Sequence, residues 1–173
     1  TASEQLEKIN ERTRELVTLQ YNTYNRSLVP LMHQHGIVVM DAFEDLSEAQ
    51  AAFVDRYFED NVYPVLTPMA VDASRPFPLI RNKTLNIAAL LSKKKGKAEK
   101  EEIEFATVQV PSVLPRLVHI PSEDGNEKTF ILLEQVIERN IDKLFLNYDV
   151  LCAYPYRVMR NADLSIDEDE AAD

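Results

Sequence analysis

Residues 63–82 read YPVLTPMAVDASRPFPLIRN, from Tyr63 to Asn82. Pro64, Pro68, Pro76 and Pro78 stand among apolar residues, and Asp72 and Arg75 are the charges ahead of Arg81. Proline fixes φ and deletes a backbone donor, so this run is neither a helix nor a central strand. It is too apolar for a disordered linker. The expectation is an extended, buried connector with different kinds of structure on its two sides.

On the N-terminal side the pattern is helical. Leu6, Ile9, Thr13, Leu16, Gln20, Tyr24, Leu28 and Leu31 recur at spacings of three and four, which predicts a helix over Ser3–His35. Pro30 should kink or interrupt it, and Gly36 fits a C-terminal cap. Gly36–Met40 reads as a short extended segment. Ser47 and Gln50 form the S-x-x-Q capping box of a second helix, whose apolar stripe is Phe53, Val54, Tyr57, Phe58 and Val62. The two helices are expected to pair as an antiparallel hairpin.

On the C-terminal side the period changes to two. Thr84–Leu91 and Ile103–Val110 predict strands joined by a lysine-rich tip, Lys93, Lys94, Lys95, Lys97 and Lys100 around Gly96. Interleaved Glu99, Glu101 and Glu102, and the lack of aromatics, make this a solvated hairpin tip rather than a polyanion site. Pro111–Pro115 makes a turn. Arg116–Ile120 and Lys128–Ile131 form another strand pair around the Glu123–Asn126 turn. Leu132–Phe145 is an amphipathic helix, and Val150–Arg160 a strand in which Pro155 marks an edge or a bulge. The expected fold is α+β: N-terminal helices, then a mixed β-sheet of about four or five strands with a packed helix.

The 173 residues carry a net charge of −10, which argues against a module that grips nucleic acid by electrostatics alone. The charge is uneven: Asp163–Asp173 holds six acidic groups and no base, and the balance without it is −4. The sequence opens without methionine and stops inside that acidic run, and it reads as a piece of a longer protein. Thr1–Lys8 is polar, unlike a signal peptide, and no apolar run approaches the ~18 residues of a membrane span. Cys152 has no second cysteine to bond and reads as a small buried residue in a reducing, cytoplasmic compartment.

Motif chemistry is sparse. The three glycines, Gly36, Gly96 and Gly125, fall in no phosphate-cradling loop. His33 and His35 are two apart and point to different helix faces, a poor metal pair. His119 stands alone and reads as structural. The acidic DLSIDEDEAAD run lacks the glycine on which a calcium loop turns. The constellation worth weighing is Arg157, Arg160 and Asn161, with Arg81 and Asn82 as neighbours, because guanidinium forks match phosphate oxygens. Strict strand alternation puts Arg157 and Arg160 on opposite faces, so structural ion pairing stands beside phosphate contact as a reading.

The connector, Tyr63-Pro-Val-Leu-Thr-Pro-Met-Ala-Val-Asp with Arg75-Pro-Phe-Pro-Leu-Ile, resembles the entry to the middle domain of the polyphosphate kinases that work through a phosphorylated histidine. Val110-Pro-Ser-Val-Leu-Pro-Arg116, the helix at Leu133–Phe145 and Tyr156-Arg-Val-Met-Arg-Asn-Ala-Asp-Leu164 follow in the order of that family. The resemblance implies a fragment. Residues 1–35 correspond to the end of the N-terminal domain, 36–165 to the middle or head domain, and 166–173 to an acidic lead into C-terminal domains. It implies a longer enzyme that moves the γ-phosphate of ATP reversibly onto polyphosphate, with Mg²⁺. It also implies a second subunit as partner, a cytoplasmic setting that leaves room for peripheral membrane association, and no catalytic residue in this piece. Its implied roles are to line the polyphosphate tunnel and to support dimerisation. The alternative is a non-catalytic protein-interaction module. An autonomous nucleotide-binding enzyme is disfavoured by the missing phosphate motifs.

Overall fold

The computed structural model describes residues 1–71, 77–93, 103–122 and 125–159. The fold is α+β, with the strands divided between two sheets rather than gathered in one. Helix α1 (Ala2–Thr23) runs through a π-turn at Tyr24–Leu28 into α2 (Val29–Gln34). The π-turn answers Pro30, whose ring would strike the carbonyl one turn back. The wider turn, closed from the Val29 amide to the Tyr24 carbonyl, relieves that crowding without ending the helix. The same device recurs two residues before Pro64, where a π-turn at Phe58–Val62 closes from Tyr63 N–H to Phe58 C=O.

Gly36 stops α2 with φ +69°, a left-handed angle that glycine adopts without penalty. Strand β1 (Ile37–Val39) follows. Helix α3 (Glu48–Tyr57) starts on the expected capping box. Ser47 Oγ accepts from the Gln50 amide at 3.4 Å, and Gln50 Oε1 accepts from the Ser47 amide at 3.1 Å.

The α1–α3 hairpin does not form. Every residue from Ala2 to Leu28 is exposed, so α1 packs its apolar stripe on nothing among the described residues. The connector also departs from expectation. It opens with a 3₁₀ turn at Tyr63–Val65, where Pro64 sits in the first turn and needs no donor. It then forms β2 (Pro68–Val71), and most of its described residues are exposed or half-buried, with Ile80 the one buried. As an edge strand, β2 has a free side on which a missing N–H is harmless.

Strands β3 (Leu85–Lys93), β4 (Ile103–Gln109) and β7 (Tyr148–Arg157) complete an antiparallel sheet in the order β2-β4-β3-β7. Pro155 lies on the β7 edge, as expected. The bulge, however, is at Leu151, skipped between the Leu90–Cys152 and Leu91–Val150 pairs. The second sheet is β1-β6-β5, with β5 at Leu117–Ile120 and β6 at Lys128–Leu132. β5 pairs antiparallel with β6, and β1 pairs parallel with it, Ile37 opposite Lys128.

Helix α4 (Leu133–Arg139) is half the expected length. Asn140 leaves helical geometry at φ −111°, and a 3₁₀ turn at Ile141–Leu144 carries the chain on. The apolar spacing survives the change, since Ile141 and Phe145 remain buried. Val54, Phe58 and Val62 join Ile87, Ala89 and Leu91 of β3, Val118 and Ile120 of β5, and Val136 and Ile137 of α4 in one core. Arg139 ties α4 to α3 through a forked pair with Asp55, at 2.8 and 3.1 Å. The lysine-rich tip beyond Lys93, the acidic Asp163–Asp173 run, and Glu123 and Asp124 lie outside the described residues.

Candidate functional site

The chain between Ile80 and β3 turns sharply at Arg81–Thr84, and this turn is fastened at several points. Thr84 donates to the Arg81 carbonyl through its amide at 3.3 Å and its hydroxyl at 2.8 Å. The buried Asn86 donates through Nδ2 to Thr84 O at 3.0 Å and Thr84 Oγ1 at 3.2 Å. Lys83 donates its amide to Val158 O at 2.9 Å, and Lys83 O accepts from Arg157 Nη1 at 2.6 Å. Lys83 itself has φ +63°, the only positive φ outside glycine among the described residues. A lysine in that region carries backbone strain of roughly 1 kcal/mol, sustained only where the surroundings fix the turn.

The turn forms one wall of a cleft of about 470 Å³. Arg81, Lys83 and Arg157 line it together with Pro111, Ser112 and Leu114 of the turn after β4. Arg116 and Leu133 line it as well. Among the described residues, four cations and no carboxylate line it, in a chain whose net charge is −10. Arg116 is already neutralised: Nε donates to both Glu134 oxygens at 3.1 and 3.2 Å, and Nη2 reaches Oε1 as well. Glu134 beside it holds the guanidinium proton more tightly, against the opposing effect of burial. Arg81, Lys83 and Arg157 have no ion pair among the described residues, and within that set they are three positive charges without a carboxylate.

Of the sequence candidates, Arg81 and Arg157 meet here. Asn82 occupies the same exposed turn but does not line the cleft. Arg160 and Asn161 lie outside the described residues. Lys83 and Arg116 were not foreseen. The signal for Lys83 was its place in an R-N-K-T turn between the connector and a strand, but nothing in the sequence announces a left-handed lysine. His119 is exposed and packs edge-on against Phe130, with ring centres 5.3 Å apart, which suits a structural role. Among the described residues, no three His, Cys, Asp or Glu side chains are grouped to hold a metal, and no helix is long and apolar enough to cross a membrane.

Residues 49–173 match the family described as the polyphosphate kinase middle domain. The chain belongs to that family. It is 48% identical over 173 residues to the polyphosphate kinase of Lactiplantibacillus plantarum, covering all of this chain and 23% of that protein. It is 46% identical over the same length to the polyphosphate kinase of Halalkalibacterium halodurans, covering 24% of it. Its backbone is similar to the crystal structure of the polyphosphate kinase from Porphyromonas gingivalis, at TM-score 0.75 and 27% identity. That likeness covers 95% of this chain and 26% of the other. The chain thus spans about a quarter of the length of the relatives it matches.

Proposed function

We propose that this chain serves as the middle domain of a polyphosphate kinase, contributing a cationic wall to the path of the polyphosphate chain. The parent reaction under this reading is reversible transfer of the ATP γ-phosphate to the end of polyphosphate, through a phosphohistidine supplied from elsewhere in the longer protein. The observation that carries the reading is the cleft, where Arg81, Lys83 and Arg157 have no carboxylate partner among the described residues of an acidic chain of this family. Phosphoryl transfer depends on positioned cations around the phosphate oxygens, and uncompensated guanidinium groups suit that task. Arg160 and Asn161 extend the same wall in this proposal, and Asn82 flanks it. The described residues do not supply a magnesium site, so no step is assigned to the metal in this piece.

Helix α1, which precedes the residues matched to the middle domain, favours a second role for this chain, support of dimerisation. Leu6, Ile9 and Leu16 of α1, Leu28 of the π-turn and Leu31 of α2 lie exposed, and exposed apolar surface of this kind marks a place for a protein partner. The test of the main reading is calorimetric titration with polyphosphate and with ATP–Mg²⁺, at low and at physiological salt. Salt-sensitive binding of polyphosphate is expected. Tight binding of ATP with none of polyphosphate overturns the reading.

A further inference from the structure

Resting on that reading, we infer that Lys83 is an anion-binding residue of the cleft and that Arg157 acts as its positioning residue, holding the left-handed turn that presents Lys83 to a linear oligophosphate. Four observations converge. Lys83 occupies a backbone region that glycine fills without strain, yet the chain places a long cationic side chain there. The strain is sustained because both backbone groups of Lys83 are bound, its N–H to Val158 and its C=O by Arg157. The side chain lines the cleft beside Arg81, and neither has a carboxylate partner among the described residues. The remaining cation, Arg116, is engaged by Glu134.

Arg81 and Arg157 therefore have different duties. Arg81 and Lys83 extend from one turn as a pair of point charges. Arg157 reaches the same turn from the end of β7 and uses one guanidinium nitrogen on the Lys83 carbonyl. An anion with charges spaced along a chain fits two cations projecting from adjacent corners of a turn. The shared ligand chemistry is a run of phosphates, whether the end of polyphosphate or the triphosphate of a nucleotide.

The probe is inorganic tripolyphosphate, with ATP–Mg²⁺ and long-chain polyphosphate as further arms, titrated calorimetrically at two salt concentrations. The variants are Lys83→Gly, Arg157→Gln, their combination, and Arg81→Ala. Glycine keeps the positive φ while removing the charge, so urea midpoints should show the fold intact. Lys83→Gly is expected to weaken tripolyphosphate binding about fivefold, in keeping with the loss of one charge-assisted contact at an exposed site. Its salt slope should fall by about one ion. Because Arg157 acts through Lys83, Arg157→Gln should weaken binding in the parent but add little in the Lys83→Gly background. Additive losses, or Lys83→Gly binding like the parent, overturn the inference while leaving the cleft intact. A parent that binds neither tripolyphosphate nor polyphosphate removes the wider functional reading as well. Binding of ATP–Mg²⁺ with the same variant pattern assigns the site to the nucleotide source, and binding of long polyphosphate alone assigns it to the polymer.

Discussion

Replacing Arg116 with methionine should destabilise the fold far more than its surface position implies. Its side chain is 56% exposed, but Glu134, the carboxylate it holds, is only 6% exposed. Removing one partner of a buried pair leaves an uncompensated charge and costs about 3–5 kcal/mol. Water reaches the guanidinium side of this pair, so the expected loss is lower, about 2–3 kcal/mol. The backbone bond from the Leu133 amide to Arg116 O at 2.7 Å, just where β6 becomes α4, survives the substitution, so the loss is that of the side-chain pair. Glu134→Leu in the same background should recover most of the loss, since two apolar side chains of similar volume replace the pair without stranding a charge. Urea unfolding followed by circular dichroism, on the parent, both single variants and the double variant, gives the coupling energy. About 2 kcal/mol is expected. Single losses that simply add, or an Arg116→Met loss below about 0.5 kcal/mol, would refute the view that a buried carboxylate fixes this end of the cleft.

Phe58 is fully buried, meets Tyr63 edge-on at 6.0 Å and lies under the Lys143 ammonium, so Phe58→Ala should lower the unfolding free energy by about 3–5 kcal/mol in the same urea assay. Burial, then Glu134 and Glu44, push the Glu138 carboxyl up to about 7. The folded state therefore holds this proton more tightly than the unfolded chain, and stability falls as pH rises from about 4.5 through 7. Glu138→Gln should match the parent at pH 4 and exceed it at pH 8, by on the order of 1 kcal/mol once solvent screening is allowed for; thermal melts at the two pH values check the sign. At Gly36, φ is +69° and an added Cβ would sit 3.4 Å from Asn126 O, so Gly36→Ala should cost about 1 kcal/mol and leave α4 unaffected, as measured by hydrogen exchange.

What the sequence disclosed follows from what short-range patterns encode. The Ser47–Gln50 box and the Gly36 stop are contacts within four residues, and both appear as read. Alternation located β3 and β4 but could not name their neighbours, because period two specifies a face and not a partner. Hence one mixed sheet was expected where two exist, and β1 was not foreseen beside β6. The stripe on α1 records a need for a partner without identifying it, so the expected hairpin with α3 had equal support from pattern alone. The stop of α4 at Asn140 was hidden because Ile141 and Phe145 keep the apolar spacing through a 3₁₀ turn. In the cleft, residue type pointed to Arg81 and Arg157. The Lys83 turn was missed because left-handed geometry is ordinarily expected of glycine or asparagine, and Asn82 is next door.

The parallel pairing of β1 with β6 sets a timetable for the ribosome. Ile37 finds its partner strand about 90 residues later, so at roughly 5–20 residues per second β1 waits several seconds or longer with its hydrogen-bonding edge unmet. The β2-β4-β3 sheet can assemble in the meantime, while β7, which completes both that sheet and the latch on Lys83, emerges last of the described strands. Among the described elements, the cleft is therefore completed last. A stalled or truncated chain that lacks β7 would carry the Arg81–Thr84 turn without the clamp that holds its shape.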